Sequence, residues 1–470
     1  SHAGPNGPWQ WPHHPSAVPP LAMPGNAAEM ALTSGEGRAS QRSSRFVKGT
    51  MEPKPANVAG SGITAMLLHP LNVLLIFFPL GILSHLLDWG DIRTFWFNFI
   101  ALVPLAKILG DATEELAAGL KNDMLAGLLN ATFGNAVEMV IMVQTLRAGY
   151  TEVVKATLLG SVLSNLLLVL GMSFFFGGLI SNGNKKIKLP IPADDGGKLS
   201  MRHSRLTNHA GGAPESESYT EFVGEKVQTF SVMSALVNTS MLLLSCLSFS
   251  LVTVFASKQN LDGSRSMDEV LLPVSRICSI IIIIAYAAYI FFQLVTHREA
   301  MAEDDGGDDG GDEEEAALSI PVAVLVMCLV TCIVAFSSEL LVSSLDEVVE
   351  HMGINKHFIG IILLPIVGNA CEHASAIRFA IMDKCGLSIG IAVGSSTQMS
   401  LFVVPFSVLC GWAMGKDMDL DFGSLNTTVM SISVVVVLSV VVDGTANWLQ
   451  GYLLMSAYFV VAVLYWHLPS

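Results

Sequence analysis

Two glutamates stand inside apolar sequence, each at the end of the same short motif. The motif reads GNAVE at residues 134–138 and GNACE at residues 368–372. A charged side chain near the middle of a bilayer costs on the order of 3 kcal/mol by insertion scales, so such residues are rare and usually functional. Ca²⁺ takes carboxylate, amide and carbonyl oxygens as ligands. The motif therefore predicts a cation site in which Glu138 and Glu372 supply two negative charges for one divalent ion.

The residues that precede each glutamate suit the same chemistry. Gly134 and Gly368 allow a helix to unwind and to expose backbone carbonyl groups. Pro365 removes a helix hydrogen bond just before the second motif. Asn135 and Asn369 either supply amide oxygens to the cation or hold the unwound turn in place. Both motifs are thus expected to be metal-binding breaks in a helix.

The pair of acids also predicts coupling to protons. A carboxyl group away from water favours its neutral form, and a second carboxyl group close by strengthens that preference. Metal ligands must be deprotonated, so a proton and a cation compete for one site. If only a neutralised site crosses the membrane, the protein is a proton/cation antiporter. The alternative left open is that each acid is paired with a base such as Lys107, Arg276 or Arg378.

Five further polar residues are candidates for supporting roles. Glu115 and Glu339 are expected on partner helices, behind the metal ligands or in a proton relay. His373 directly follows the second motif, and since imidazole favours zinc, copper or nickel, proton handling or gating is its expected role. Gln398 and its repeat counterpart Ser164 either line the pathway or join helices by a hydrogen bond. The string CEHAS lacks the zinc-hydrolase patterns HExxH and HxxEH, so an enzyme is not expected.

Other matches extend the motif into an internal repeat. Residues 160–161 and 394–395 are both Gly-Ser, at the same 234-residue offset as the glutamates, and residues 115–116 and 339–340 are both Glu-Leu. Three matches in order, on successive helices, indicate two homologous halves. With five spans in each half, the second half enters the membrane from the opposite side. Inverted repeats of this kind are typical of secondary transporters, whose substrate site lies at the repeat interface near the midplane.

The composition requires a membrane. Apolar residues make up 51% of the 470 residues and charged residues 14%, whereas soluble domains average about 25% charged. A span needs about 20 apolar residues. Eleven spans are predicted, at 65–87, 94–118, 123–146, 150–180, 228–256, 272–296, 318–345, 354–382, 386–412, 424–446 and 448–466. The predicted fold is an all-α integral membrane protein with one extra N-terminal helix and two inverted five-helix repeats; the lipid bilayer is its partner, and no nucleic acid is expected.

The loops set the expected organisation and orientation. Basic residues cluster in the N-terminal arm and in the loop after the fourth span, which predicts that both are cytoplasmic. Nine acids between residues 303 and 315 supply most of the net charge of −15, in a loop on the same side. The predicted segments are a disordered arm at 1–62, the extra helix at 65–87, a first repeat at 94–297 with a low-complexity loop at 181–226, an acidic loop at 298–317 and a second repeat at 318–466.

Six stretches resemble the cation/proton exchanger family, the vacuolar calcium/proton antiporters. They are GLLNATFGNAVEMVI, GNACEHASAI, GSVLSNLLLVLG, GSSTQMSLFVVP, DATEELA and SSELLVSSLD, and the resemblance covers roughly residues 65–466. It implies one extra helix plus two inverted repeats, calcium carried on Glu138 and Glu372, an acidic run between the halves, and the vacuolar membrane. The 181–226 loop is longer than the resemblance leads us to expect.

Several alternatives remain open from the sequence. Mn²⁺ suits oxygen ligands as Ca²⁺ does, so a manganese/proton antiporter is the nearest alternative. A sodium/calcium exchanger would share the architecture but have different repeat motifs. A calcium sensor or a membrane enzyme would use the acidic loop instead. No cofactor is expected beyond the transported ions, and the sequence leaves the proton stoichiometry and the oligomeric state undetermined.

Overall fold

A computed structural model of the chain describes residues 58–120, 122–180, 188–190, 219–221, 227–262, 267–298 and 316–468. Contacts divide the chain into Ser1–Pro53, which lies outside these ranges, and Lys54–Ser470. The predicted disorder of the arm therefore concerns residues of which all but 58–62 lie outside the described part. Most of the 181–226 loop and the acidic run at 303–315 also lie outside it.

Helices dominate the described residues. Before the repeats lie α1 (Val58–Leu67), a 3-10 turn (Pro70–Ile76) and α2 (Phe77–Leu86). The first half contains α3 (Asp91–Gly119), α4 (Asp123–Phe133), α5 (Ala136–Arg147), α6 (Thr151–Ile180), α7 (Val232–Asp262) and α8 (Met267–Phe291), which a π-helical turn (Phe292–Thr296) extends. The second half contains α9 (Ile320–Ser343), α10 (Leu345–Met352), α11 (Lys356–Gly368), α12 (Ala370–Ile381), α13 (Cys385–Met414), α14 (Ser424–Val441) and α15 (Trp448–Trp466).

Eight helices in the described ranges are long and apolar enough to cross a bilayer, and α11 with α12 makes a ninth span bent by 57°. The two other predicted spans are broken. Span 65–87 consists of α1, the 3-10 turn and α2, and span 123–146 consists of α4 and α5. The count of eleven spans therefore stays a prediction, while the bend falls where the second GNAxE motif interrupts the helix.

Local sequence explains several helix ends. Asn447 and Gln450 form a capping box at the start of α15, which confirms the predicted boundary between the last two spans. Gly415 ends α13 in the left-handed conformation, with a φ of 66°. Two short antiparallel strand pairs, which the all-helical prediction did not include, join Lys188–Pro190 to Tyr219–Glu221 and Gln228–Thr229 to Thr445–Ala446.

Successive spans run in opposite directions, so their ends fall on two faces. We call the near face the one where α3 and α8 end and where α4, α7 and α13 begin. The far face is the one where α6 and α14 begin and where α13 ends. The repeat is visible in the helices themselves, because α6 and α13 each contain a π-helical turn, at Ser164–Val169 and Met399–Val403. Such turns locally widen a helix and often occur at functional sites.

Candidate functional site

A cavity of about 420 Å³ lies between the two halves. Its wall includes residues from the near-face ends of several helices, among them Glu114 of α3, Ser234 of α7 and Leu387 of α13. Both GNAxE motifs also line it, with Glu138 and Glu372. The cavity therefore connects the near face to the two acids that the sequence predicts as cation ligands.

Each motif breaks its helix as the glycine and asparagine predict. α4 ends at Phe133 and α5 begins at Ala136, with Asn135 between them at φ −107° and ψ 35°. α11 ends at Gly368 and α12 begins after Asn369, which has φ −87° and ψ 15°. Each glutamate consequently lies in the first turn of the second helix, where free backbone N–H groups and the helix dipole favour negative charge.

The two acids approach each other across the repeat interface. Glu138 is only 3% exposed. Its Oε1 would lie 3.0 Å from a Cβ added at Gly368, so the second-half glycine leaves room for the first-half carboxylate. The charges of Glu138 and Glu372 are close enough to interact. Within the described residues, Oε1 of Glu138 and Oε2 of Glu372 are buried and have no hydrogen-bond partner.

The basic side chains that could have paired with these acids lie elsewhere. The Nζ atom of Lys107 is 2.5 Å from Oδ2 of Asp111, within α3. The guanidinium of Arg276 stacks 5.0 Å from the ring centroid of Trp412. Arg378 is exposed on α12. In the part of the chain that the structure describes, neither motif glutamate forms an ion pair, so the paired-acid alternative has no support.

The two asparagines are braced by serines of the opposite half. Ser395 Oγ donates to Asn135 Oδ1 at 3.0 Å, and Ser161 Oγ donates to Asn369 Oδ1 at 2.8 Å. Asn369 Nδ2 also donates to the carbonyl of Ser161 at 3.1 Å. These bonds are those expected of residues that hold the unwound turns, and Asn135 also lines the cavity, so both roles predicted for the asparagines stay predictions. Ser161 and Ser395 are the matched serines of the Gly-Ser repeat, a signal that the sequence contains but that by itself suggests no role.

The remaining predicted residues divide between the cavity and its surroundings. Gln398 lines the cavity, and its Nε2 donates to the carbonyl of Asn130 at 3.4 Å. The His373 Nδ1–H donates to the carbonyl of Asn369 at 2.6 Å, and its Nε2 is buried without a partner among the described residues. Ser164 is buried beside Tyr458 rather than in the cavity wall. The repeat counterparts Gln398 and Ser164 thus have different environments.

The two partner-helix acids do not line the cavity. Glu115 accepts a hydrogen bond from the backbone N–H of Leu318 at 2.9 Å, which ties α3 to the segment before α9. Glu339 is exposed on α9. The residue beside Glu115, Glu114, lines the cavity instead. Sequence reasoning named Glu115 because it matches Glu339 in the repeat, and it missed Glu114.

Comparisons with known proteins agree with this arrangement. The sodium/calcium exchanger protein family matches residues 92–196 and 322–466. The chain belongs to that family. It is 36% identical over 408 residues to vacuolar cation/proton exchanger 3 of Oryza sativa subsp. japonica, which covers 83% of this chain and 84% of that protein. It is 34% identical over 406 residues to the Ca²⁺/H⁺ antiporter of Aphanothece halophytica, covering 84% of this chain and 96% of that protein.

A solved structure shows the same fold. The chain superposes on native YfkE with a TM-score of 0.64 and 31% identity, covering 85% of this chain and all of that one. The predicted fold class, an all-α integral membrane protein of the exchanger type, is confirmed. The predicted resemblance to cation/proton exchangers is confirmed as well. The rice and Aphanothece relatives are named as an exchanger and an antiporter, which are transporters rather than enzymes.

Proposed function

We propose that the chain is a vacuolar antiporter that exchanges Ca²⁺ for H⁺ at Glu138 and Glu372. The observation that carries the proposal is the meeting of these two acids, one from each half, at the end of one cavity without a basic partner in the described residues. Their unpartnered oxygens are suited to a hard cation, which prefers carboxylate, carbonyl and amide ligands. Relatives named as Ca²⁺/H⁺ antiporter and vacuolar exchanger support the same ions and the same membrane.

Charge neutrality couples the two ions. Two ionised carboxylates carry a charge of −2, which either one divalent cation or two protons cancel. A site that keeps a net charge is costly to carry across the bilayer centre, by several kcal/mol. The empty, ionised site is therefore the form that does not cross. Ca²⁺ binding requires both carboxyl groups to lose their protons, so each ion must leave before the other is carried.

The inverted repeat supplies the route to the other face. The cavity opens towards the near face, and the helices around the motif on the far side are in contact. In transporters with inverted repeats, the two halves exchange these arrangements around a fixed midplane site. α6 ends and α7 begins at the near face, and the sequence between them is rich in Lys and Arg, so we propose that the near face is cytoplasmic. The state described by the structure would then be the one that accepts cytosolic Ca²⁺.

The test is Ca²⁺ uptake by sealed vesicles that have the purified protein in their membrane and whose interior is acidic. Uptake is expected to require the pH gradient and to stop when the gradient is collapsed. Glu138→Gln and Glu372→Gln each remove one of the two charges and are expected to reduce uptake at least 100-fold. Glu350→Gln is the matched control, since Glu350 is an exposed acid on α10 that does not line the cavity. Uptake that persists in either site variant contradicts the proposal.

The same vesicles decide between metals. If Mn²⁺ is the main substrate, unlabelled Mn²⁺ will suppress Ca²⁺ uptake at a lower concentration than unlabelled Ca²⁺ does. The cavity offers carboxylate and amide oxygens that fit both ions, so the competition measurement, rather than the ligand set, ranks them.

A further inference from the structure

The two asparagines of the repeated motif are held unequally. Asn369 makes two hydrogen bonds to one residue, because Ser161 contributes both its hydroxyl and its carbonyl. Asn135 receives only the hydroxyl of Ser395, and its Nδ2 has no partner within the described residues. Among the described residues, the side chain of Asn135 therefore makes one hydrogen bond where the side chain of Asn369 makes two.

A third residue reinforces the weaker turn. Asn165, on α6, donates from Nδ2 to Ser395 Oγ at 3.0 Å. The side chain is fully buried and is not part of the cavity wall. The residue at the equivalent position of the second half, 234 residues later, is Met399, which can make no such bond. The asymmetry in the sequence thus coincides with the asymmetry in the hydrogen bonds.

The hydroxyl of Ser395 has an alternative acceptor in its own helix, the backbone carbonyl of Ile391 one turn earlier. The next two residues of α13 have their shortest hydroxyl bonds to carbonyls one turn earlier in their own helix, Ser396 to Ala392 and Thr397 to Val393, both at 2.8 Å. Their bonds to other helices are longer, 3.4 Å to Val162 and 3.3 Å to Asn238. A helical serine or threonine ordinarily makes such a bond. Ser395 instead donates across the interface. A hydroxyl has one proton to donate, and a bond accepted from Asn165 both fixes the orientation of Oγ and polarises its O–H group.

We propose that Asn165 is a positioning residue for the cation site, which holds the Asn135 turn and its Glu138 through Ser395. The proposal rests on the proposed function of Glu138 as a cation ligand. Since Asn165 does not touch the cavity, its removal loosens the ligand and leaves the cavity and the far-face contacts in place. Loss of Asn165 should therefore weaken cation binding more than it slows the transport of bound cation.

The experiment compares kinetic constants for Ca²⁺ uptake in the vesicle assay. Asn165→Met introduces the residue found at the equivalent second-half position, and it is expected to raise the KM for Ca²⁺ about five- to tenfold with a maximal rate within twofold of the native value. Ser173→Ala is the matched control. Ser173 is also fully buried on α6, but within the described residues its hydroxyl bonds only to the carbonyl of Val169 in the same helix, so the KM of this variant should equal the native value.

A double-variant cycle tests the path through Ser395. Ser395→Ala alone should raise KM by a similar factor, and Asn165→Met added to Ser395→Ala should have no further effect. Independent effects that multiply would overturn the proposal, and so would a native KM in a folded Asn165 variant. If Asn165→Met does not fold, Asn165→Leu has nearly the shape of asparagine and replaces it.

The two proposals fail in different ways. If Glu138→Gln abolishes uptake while the Asn165 variants keep the native KM, only the positioning role is wrong. If Glu138→Gln leaves uptake intact, the proposed function itself is wrong.

Discussion

The two halves carry the same motif, yet the helices beside it pack in opposite ways. In α6 a Cβ added at Gly160 would lie 2.2 Å from the carbonyl oxygen of Ile361 in α11, and one added at Gly360 would lie 2.6 Å from the Cβ of Ala156. At the equivalent place in α13, a Cβ at Gly394 would meet nothing within 4 Å. Gly394 lines the cavity instead. One glycine thus permits close helix contact, while its repeat counterpart faces open space.

This difference shows how a nearly symmetric sequence forms a one-sided cavity. In the repeat, α6 corresponds to α13 and α11 corresponds to α4. The contact between α6 and α11 should therefore have a counterpart between α13 and α4. The first contact is made, and it closes the far side of the site. The second is open at Gly394: α13 reaches α4 through the hydrogen bond from Gln398 to Asn130, and the cavity occupies the space beside Gly394. Exchange of the two arrangements would move the opening from one face to the other without moving the acids.

Ion pairs reinforce the closed side. Lys155 of α6 is buried, with its Nζ 2.9 Å from Oδ1 of Asp419 and 3.1 Å from Oε1 of Glu152. Asp419 belongs to the far-face segment between α13 and α14. Tyr150, at the same face, donates to Asp346 at 2.5 Å, and this bond raises the pKa of Tyr150 to about 12. The residue equivalent to Lys155 in the second half is Ile389, which cannot form a matching pair on the near side.

The largest loss of stability is expected from Gly160→Ala, which acts on the contact between α6 and α11. The added methyl group would meet the backbone of Ile361, which cannot rotate away, so α6 and α11 must separate. Overpacking of this kind costs about 3 kcal/mol. The variant should show a clearly lower melting temperature in detergent. Gly394→Ala is the matched control and should melt as the native protein does. Equal melting of Gly160→Ala and native protein would show that the far-side contact is not tight.

A smaller effect is expected from Lys155→Met. The change leaves Asp419, whose side chain is 15% exposed, without its cation. Loss of one partner from a largely buried pair costs about 3 kcal/mol, and the N–H that Asp421 donates to Asp419 reduces this to about 2 kcal/mol. The melting temperature should fall, and Asp419→Leu in the same chain should restore most of it. Glu152→Gln should have little effect because the Glu152 side chain is 71% exposed.

The smallest effect is expected from Gly394→Ala, on the rate of transport. The methyl group fits the open cavity, so folding and Ca²⁺ binding should be native. If α13 must approach α4 as closely as α6 approaches α11, the same methyl group will hinder that step. We expect the maximal rate of uptake to fall about threefold, which corresponds to roughly 0.7 kcal/mol in the barrier. A native rate would mean that the two halves do not exchange arrangements.

Particular residues show what could be predicted from the sequence. The GNAxE motifs, their glutamates and the Gly-Ser pairs were visible because a repeat places the same residues at a fixed offset. Composition and apolar runs fixed the membrane class, and the bend at Gly368 followed from glycine and proline. Glu114 could not be chosen over Glu115, because adjacent residues on a helix point about 100° apart and only the neighbouring helices decide which of them faces the cavity.

The amino-acid sequence is enough to predict two acids, one in each half, on broken helices within a membrane, because the burial cost of charge makes such residues recognisable. The packing of the helices was needed to show that Glu138 reaches the glycine of the opposite motif, that the asparagines are braced by serines, and that the far side is closed. These features depend on contacts between segments more than 200 residues apart. Equivalent residues in the two halves have nearly the same local sequence, so only packing against different neighbours separates their roles.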